Sequence, residues 1–144
     1  MAKYRTTVES KMSPDETFEY LADFANAPEW DPGVVEGERL DDGPLGVGSR
    51  FQLVARFLGR SVPLEYRIVA LERPRRVVFE ADERTVHSID EIRFAPNDSG
   101  TAVTYEADLR LKGRLGRALD PVLARIFSRI GDRATGGLRE VLGA

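Results

Sequence analysis

The chain has 144 residues, a formal net charge of -3, 42% hydrophobic residues and 31% charged residues. This length and composition are typical of one folded domain and leave no room for separate cofactor and substrate domains. The absence of cysteine and the presence of a single histidine exclude disulfides, thiolate metal sites, cysteine nucleophiles and two-histidine metal centres. We therefore predict one domain over residues 1–144 that needs no metal and no cofactor.

The apolar segments of the chain are all shorter than the roughly 18 residues that a membrane-spanning helix requires. Residues 1–10 alternate charged and apolar side chains and lack the apolar core of a signal peptide. We therefore expect a cytoplasmic protein without integral membrane association. The negative net charge argues against nucleic acid as a partner. Residues 110–144 carry 8 Lys or Arg against 3 Asp or Glu, which is typical of a solvated helix face, with a phosphate or membrane patch as the alternative.

The first predicted elements are a strand and a helix. Residues 3–9 alternate polar and apolar side chains, as a half-buried strand does. Ser13 suits the N-cap of a helix, Pro14 suits its first turn, and Glu16 completes a capping box three residues after Ser13. The pattern predicts a helix from Pro14 to about Ala22. A segment rich in turn formers follows at residues 26–33 and is predicted to hold a second, short helical turn.

From Val34 to Leu111 the chain consists of strand-like runs separated by turns rich in Gly, Pro, Asp and Asn. Because no helical pattern lies between these runs, they favour an antiparallel meander. The clearest runs lie at residues 51–57, 62–68, 77–79, 85–95 and 103–111.

The last predicted element is a long amphipathic helix, since apolar residues recur with a helical period from Leu115 onward. Asp120 and Pro121 are typical of an N-cap followed by a first helical position. They predict a short turn at 114–119 and a main helix at 121–142.

Three glycines, Gly131, Gly136 and Gly137, are unusual inside a helix, where each costs about 0.5 to 1 kcal/mol relative to Ala. They either leave space beside a pocket, permit close packing on the sheet, or kink the helix.

This order of elements resembles that of the START/Bet v 1-like superfamily, also called SRPBCC, and in particular its polyketide cyclase/dehydrase-like branch. The resemblance is carried by Asp-Phe-Ala-Asn-Ala-Pro-Glu-Trp-Asp-Pro-Gly-Val at 23–34, Gly-Val-Gly-Ser-Arg-Phe at 46–51, Gly-Thr-Ala-Val-Thr-Tyr at 100–105 and the closing helix. It covers nearly the whole chain. It implies an α+β helix-grip fold, in which a curved seven-stranded antiparallel sheet surrounds a long C-terminal helix, two short helices follow the first strand, and a ligand cavity lies between sheet and helix.

Asp90 is the most informative polar residue of the predicted sheet. Ile92 and Phe94 need burial, so alternation places Val86, Ser88 and Asp90 on the same concave face. A carboxylate in an apolar cavity costs several kcal/mol unless it is hydrogen-bonded or neutralised. Asp90 is therefore the candidate acid, base or ligand anchor. The alternatives are a bulge that turns it outward and a structural pair with an arginine.

Tyr66 and Tyr105 also fall on inward positions, where a phenol offers an apolar ring with one polar tip. They are predicted either to bind a polar group of the ligand or to be satisfied within the core. His87 has the opposite parity to Asp90, which argues against a His-Asp dyad and favours a surface histidine. Trp30 either contacts the ligand or plugs the edge of the sheet.

The predicted function is binding of a small apolar or aromatic metabolite, lipid-like or polyketide-like, in the internal cavity. The alternatives are an enzyme of the cyclase/dehydrase kind, in which Asp90 or a tyrosine assists enolisation or water loss, and a protein-interaction module that uses the basic helix. We expect a monomer or homodimer whose partner is a small hydrophobic ligand. The predicted ligand-binding residues are Trp30, Phe51, Leu53, Tyr66, Ser88, Asp90, Tyr105, Phe127 and Ile130.

Overall fold

A single antiparallel sheet of seven strands organises the fold of the computed structural model, which describes residues 2–57 and 59–143. The strand order is β1-β7-β6-β5-β4-β3-β2, so that β1 and β2 are the two edges. Register shifts between Val34 and Glu36 and between Ile68 and Ala70 mark bulges, which bend a sheet and help to curve this one. The strands are β1 Ala2–Ser10, β2 Val34–Arg39, β3 Arg50–Phe57, β4 Arg60–Glu72, β5 Arg76–Asp82, β6 Val86–Asn97 and β7 Gly100–Leu111.

The helices occupy the concave side of the sheet. Their bounds are α1 Pro14–Ala22, a 3₁₀ turn at Phe24–Asn26, α2 Ala27–Trp30 and α3 Arg114–Gly143. The predicted cap of α1 is confirmed, because the Glu16 amide donates to the Ser13 hydroxyl at 3.2 Å. The α+β helix-grip fold, with a curved antiparallel sheet and a long C-terminal helix, is therefore as predicted.

The prediction of a break in the C-terminal helix was wrong. α3 runs without interruption from Arg114 to Gly143, and Pro121 lies inside it. A proline in a helix removes one backbone hydrogen bond, but it does not stop the helix when neighbouring turns hold their own bonds. Asp120 and Pro121 have the local composition of a helix start, and local composition alone did not distinguish a start from an interior position.

Aromatic side chains fill one end of the concave face. Phe24 stacks on Phe79 with ring centroids 3.9 Å apart, and Phe51 meets Phe79 edge to face at 6.1 Å. Phe18 of α1 packs on Phe94 at 5.1 Å. This end of the sheet is therefore a solid core beneath α1 and the 3₁₀ turn.

α3 covers the other end of the concave face and is held there by specific contacts. The Tyr4 hydroxyl of β1 donates to Asp132 at 2.7 Å and lies 3.1 Å from the Thr135 hydroxyl. A Cβ atom on Gly137 would stand 1.8 Å from the Trp30 carbonyl oxygen, and one on Gly131 would stand 2.5 Å from the Tyr4 ring. Gly131 therefore permits close packing on the sheet, one of the roles predicted for it, whereas Gly137 permits close packing on α2, which was not predicted.

Across the described parts of the chain, no helix combines the length and the apolar character needed to cross a bilayer.

Candidate functional site

A cavity of about 310 Å³ lies between the sheet and α3. Its outer wall is apolar and comes from β2, β3, β4, β6, β7 and α3. Arg56, near the end of β3, and Thr85, just before β6, are exposed and mark its mouth. The main apolar lining residues are Val34, Phe57, Val62, Leu64, Val86, Leu109, Leu111, Phe127, Ile130 and Leu138.

Four polar side chains form the floor of the cavity, which we define as Tyr66, Ser88, Asp90 and Tyr105. Period-2 alternation brings them together, because Ser88 and Asp90 are two residues apart on β6 and Tyr105 lies diagonally across on β7. Each of them is buried, and Asp90 is 8% exposed. The floor separates the aromatic core from the apolar outer wall.

A chain of hydrogen bonds connects the floor. The Tyr66 hydroxyl donates to Ser88 at 3.0 Å, and the Ser88 hydroxyl donates to Oδ1 of Asp90 at 3.3 Å. The Tyr105 hydroxyl donates to Oδ2 of Asp90. Both oxygens of the buried carboxylate are thus satisfied by hydroxyl groups and not by an arginine.

Burial raises the pKa of Asp90 to about 6, an effect that the hydrogen bonds from Tyr105 and Ser88 oppose and the nearby charge of Asp31 reinforces. Burial also raises the pKa of Tyr105, to which the charge of Asp90 adds. A carboxyl group whose pKa lies near neutrality is able to accept or donate a proton at physiological pH.

A second carboxylate, Asp31, also lines the cavity. It follows α2, and its Oδ1 accepts the Gly33 amide at 2.8 Å, which fixes the turn into β2. Burial raises the pKa of Asp31. The sequence offered no signal for this role, because Asp31-Pro32-Gly33 is explained by turn formation alone. Tyr4, Thr6 and Arg56 are further lining residues that the sequence did not indicate.

The structure separates the predicted ligand-binding residues into two groups. Phe51 and Leu53 do not line the cavity and lie in the core. Alternation placed both residues on the correct face of β3, but it could not show which part of that face is open to the cavity. The 3₁₀ turn covers the part around Phe51. The cavity wall includes Trp30, Tyr66, Ser88, Asp90, Tyr105, Phe127 and Ile130, whose contact with a ligand stays a prediction.

His87 lies on the outer face of β6, where its Nε2 is 2.9 Å from a carboxylate oxygen of Glu80. It is absent from the cavity lining, as its parity predicts. Asp90, by contrast, points inward, and the bulge and the arginine pair weighed for it from the sequence are not found in this described part of β6.

Comparison with protein families gives a match over residues 1–143 to the family described as polyketide cyclase / dehydrase and lipid transport. A search of curated proteins gave no match.

Solved structures share this fold at low sequence identity. A START superfamily protein from Mycobacterium smegmatis matches with a TM-score of 0.81 and 14% identity, covering 99% of this chain and 98% of the other. A protein from Thermus thermophilus matches with a TM-score of 0.77 and 17% identity, covering 98% and 95%. The Zhui aromatase/cyclase from Streptomyces sp. R1128 matches with a TM-score of 0.74 and 18% identity, covering 98% and 93%. At such identities these likenesses establish the fold.

Proposed function

The chain belongs to the polyketide cyclase / dehydrase and lipid transport family, and we propose that it binds a small apolar or aromatic metabolite in the cavity between sheet and α3. The observation that carries this proposal is the form of the cavity, about 310 Å³ with apolar walls and a small polar floor. Ligand sites in proteins have this composition, since apolar walls supply affinity and few polar groups set orientation.

Trp30 offers a direct measurement of binding. It is the single tryptophan of the chain, it lines the cavity, and its ring lies 5.6 Å from that of Tyr105. We expect N-phenyl-1-naphthylamine, a neutral fluorescent probe, to bind in the cavity with loss of Trp30 emission. Native mass spectrometry of the purified protein is expected to show a retained small molecule.

A variant that fills the cavity tests where the probe binds. Ala107 of β7 lines the cavity, so Ala107→Leu is expected to weaken probe binding about tenfold or more through lost volume. Ala102→Leu is the matched control, because Ala102 lies on the same strand with the opposite parity. Equal binding by both variants and the parent would contradict the proposed site.

A second candidate function is catalysis of ring closure with loss of water. The observation that favours it is the chain of hydrogen bonds ending at Asp90, whose pKa of about 6 suits proton transfer. The probe reaction is conversion of heptane-2,6-dione to 3-methylcyclohex-2-enone and water, followed by the absorbance of the enone. For an enzyme, Asp90→Asn is expected to lower turnover about 100-fold while binding of N-phenyl-1-naphthylamine persists. For a binding protein, neither the parent nor the variant accelerates the reaction.

A further inference from the structure

The inner part of the cavity carries two carboxylates and no basic side chain among the described residues. Asp90 lies in the floor, and Asp31 lines the same cavity at the end of α2. Arg56 is the one basic residue of the described lining, and it is exposed at the end of β3. An anionic group that enters the cavity would therefore lose its hydration and be repelled by the two carboxylates.

The three hydroxyl groups of the floor all use their protons in hydrogen bonds within the floor. Tyr66 donates to Ser88, whereas Ser88 and Tyr105 both donate to Asp90. Each hydroxyl has one proton, so what these groups still offer to a ligand is lone pairs. The floor thus presents hydrogen-bond acceptors.

Asp31 adds a further acceptor. Its Oδ1 is occupied by the Gly33 amide, and within the described part of the chain no donor is bonded to its Oδ2. The one neutral side-chain N–H in the described lining is the indole of Trp30. The hydroxyls of Thr6 and Thr85 can donate or accept, so negative charge, supplied by Asp31 and Asp90, is what distinguishes the inner part of the cavity.

Aromatic rings adjoin these carboxylates. Trp30 and Tyr105 meet edge to face at 5.6 Å, and both line the cavity with Tyr66. The faces of aromatic rings attract cations, most strongly where water is excluded. Carboxylates and ring faces together are the chemistry that recognises an ammonium group.

We infer that the ligand is an amphiphile with a protonated amine, which lies between Asp31 and Asp90 while its apolar part lies along the outer wall. This inference rests on the proposed function and names its ligand class. An alcohol, which has one donor and no charge, is the next best head group. A carboxylate, which has no donor and the wrong charge, is the worst.

The test compares three probes that share one tail: decylamine, decan-1-ol and decanoic acid, each below its micelle concentration at about pH 7.5. Competition with N-phenyl-1-naphthylamine measures their affinities. We expect decylamine to bind about tenfold more tightly than decan-1-ol, and decanoate to bind more weakly than both. The ratio of amine to alcohol affinity is the quantity to compare between variants.

Asp31→Asn is the informative variant, because an Asn side chain still accepts the Gly33 amide and keeps the turn. It is expected to reduce the amine-to-alcohol ratio at least about threefold, because it removes a charge that attracts the ammonium group and not the alcohol. Asp90→Asn is the second variant, with the same expected direction. Asp98→Asn, in the exposed turn between β6 and β7, is the matched control and is expected to keep the parent's ratio.

The outcomes separate this inference from the proposed function. If the naphthylamine binds but decanoate binds as tightly as decylamine, the amine inference is overturned and the proposed function stands. An amine preference that survives in both Asp31→Asn and Asp90→Asn also overturns it. If neither the naphthylamine nor any of the three probes binds to the parent, the proposed function fails and the inference fails with it.

Discussion

Asp90 shows how a single buried carboxyl couples the floor of the cavity to pH. The group is buried and hydrogen-bonded by two hydroxyls, and its pKa of about 6 exceeds the ordinary value of 3.8. Its folded form therefore holds a proton more tightly than its unfolded form does. This proton contributes stability that is complete below about pH 4 and is lost as the pH rises through about 6.

Replacement of Asp90 by Asn removes that dependence, because Asn resembles the protonated carboxyl and does not titrate. The unfolding free energy of Asp90→Asn relative to the parent is expected to rise by about 1 to 3 kcal/mol when the pH increases from about 4 to about 7.5. Urea unfolding at the two pH values measures the difference. Asp98→Asn, in an exposed turn, is the control. Its unfolding free energy relative to the parent should change by less than about 0.5 kcal/mol between the two pH values. A stability difference for Asp90→Asn that is the same at both pH values would contradict this account.

The two carboxylates also show what could be predicted from the sequence. Asp90 was predictable because Ile92 and Phe94 fix the buried face of β6 and a period of two extends that face to Asp90. Asp31 was not predictable, because its turn accounts for it locally and only the packing of α2 brings it to the cavity. Patterns along the chain therefore identify a face, while tertiary packing determines which residues meet.

Among the elements, α3 was predicted well in its extent and poorly in its start. The helical period of its apolar residues gave its length, whereas Asp120 and Pro121 suggested a break that the structure does not have. The prediction that Phe51 of β3 lines the cavity was wrong for a related reason. Alternation places Phe51 on the inner face, but the 3₁₀ turn at Phe24–Asn26 decides that this part of the face is core.

Two adjacent glycines of α3 provide a matched pair for its packing. A Cβ on Gly137 would stand 1.8 Å from the Trp30 carbonyl oxygen, whereas a Cβ on Gly136 would meet nothing within 4 Å. Gly137→Ala is therefore expected to force α3 away from α2 and to destabilise the fold by about 2 kcal/mol or more. Gly136→Ala is expected to stabilise it by about 0.5 to 1 kcal/mol through helix propensity.

Thermal and urea unfolding of both variants check this prediction. The propensity gain is common to the two positions, so the difference between them isolates the close approach of α3 to Trp30. Equal stabilities of the two variants would show that α3 does not contact α2 closely in solution. A shift of the Trp30 emission maximum in Gly137→Ala, absent from Gly136→Ala, would be a second sign that the helix has moved.

In the whole molecule, one sheet builds both a solid core and a cavity. Phe24, Phe51 and Phe79 fill the end beneath the 3₁₀ turn, and the floor of the cavity marks where that filling stops. Beyond the floor, α3 spans the sheet without packing fully onto it. The fold thus leaves room for a ligand because large core side chains are missing at one end of the concave face. The filled end stabilises the fold, and the other end forms the cavity.

This division predicts different local stability along α3. Leu138 and Leu142 are 1% exposed, whereas Val122 is 55% exposed, although Leu123 beside it is buried. Few buried contacts permit local opening, so the amides of residues 122–130 are expected to exchange with deuterium faster than those of residues 135–142. Phe127 and Ile130 line the cavity, so a ligand adds contacts to the first segment.

Hydrogen exchange followed by mass spectrometry, with and without N-phenyl-1-naphthylamine, tests whether the cavity and the first half of α3 act together. Bound probe is expected to slow exchange of the amides of residues 122–130. If the opening that permits exchange also releases the probe, the free energy of opening rises by about 2.7 kcal/mol when the free probe is at 100 times its Kd. Exchange in residues 139–142 should change little, because these residues follow Leu138, the last α3 residue in the described lining, and the Leu142 carbonyl accepts the Lys11 amide at 3.0 Å. Ala107→Leu, which fills the cavity, should abolish the protection by the probe. Protection confined to residues 139–142 would place the ligand against the end of α3 that lies outside the cavity and would contradict this division of the molecule.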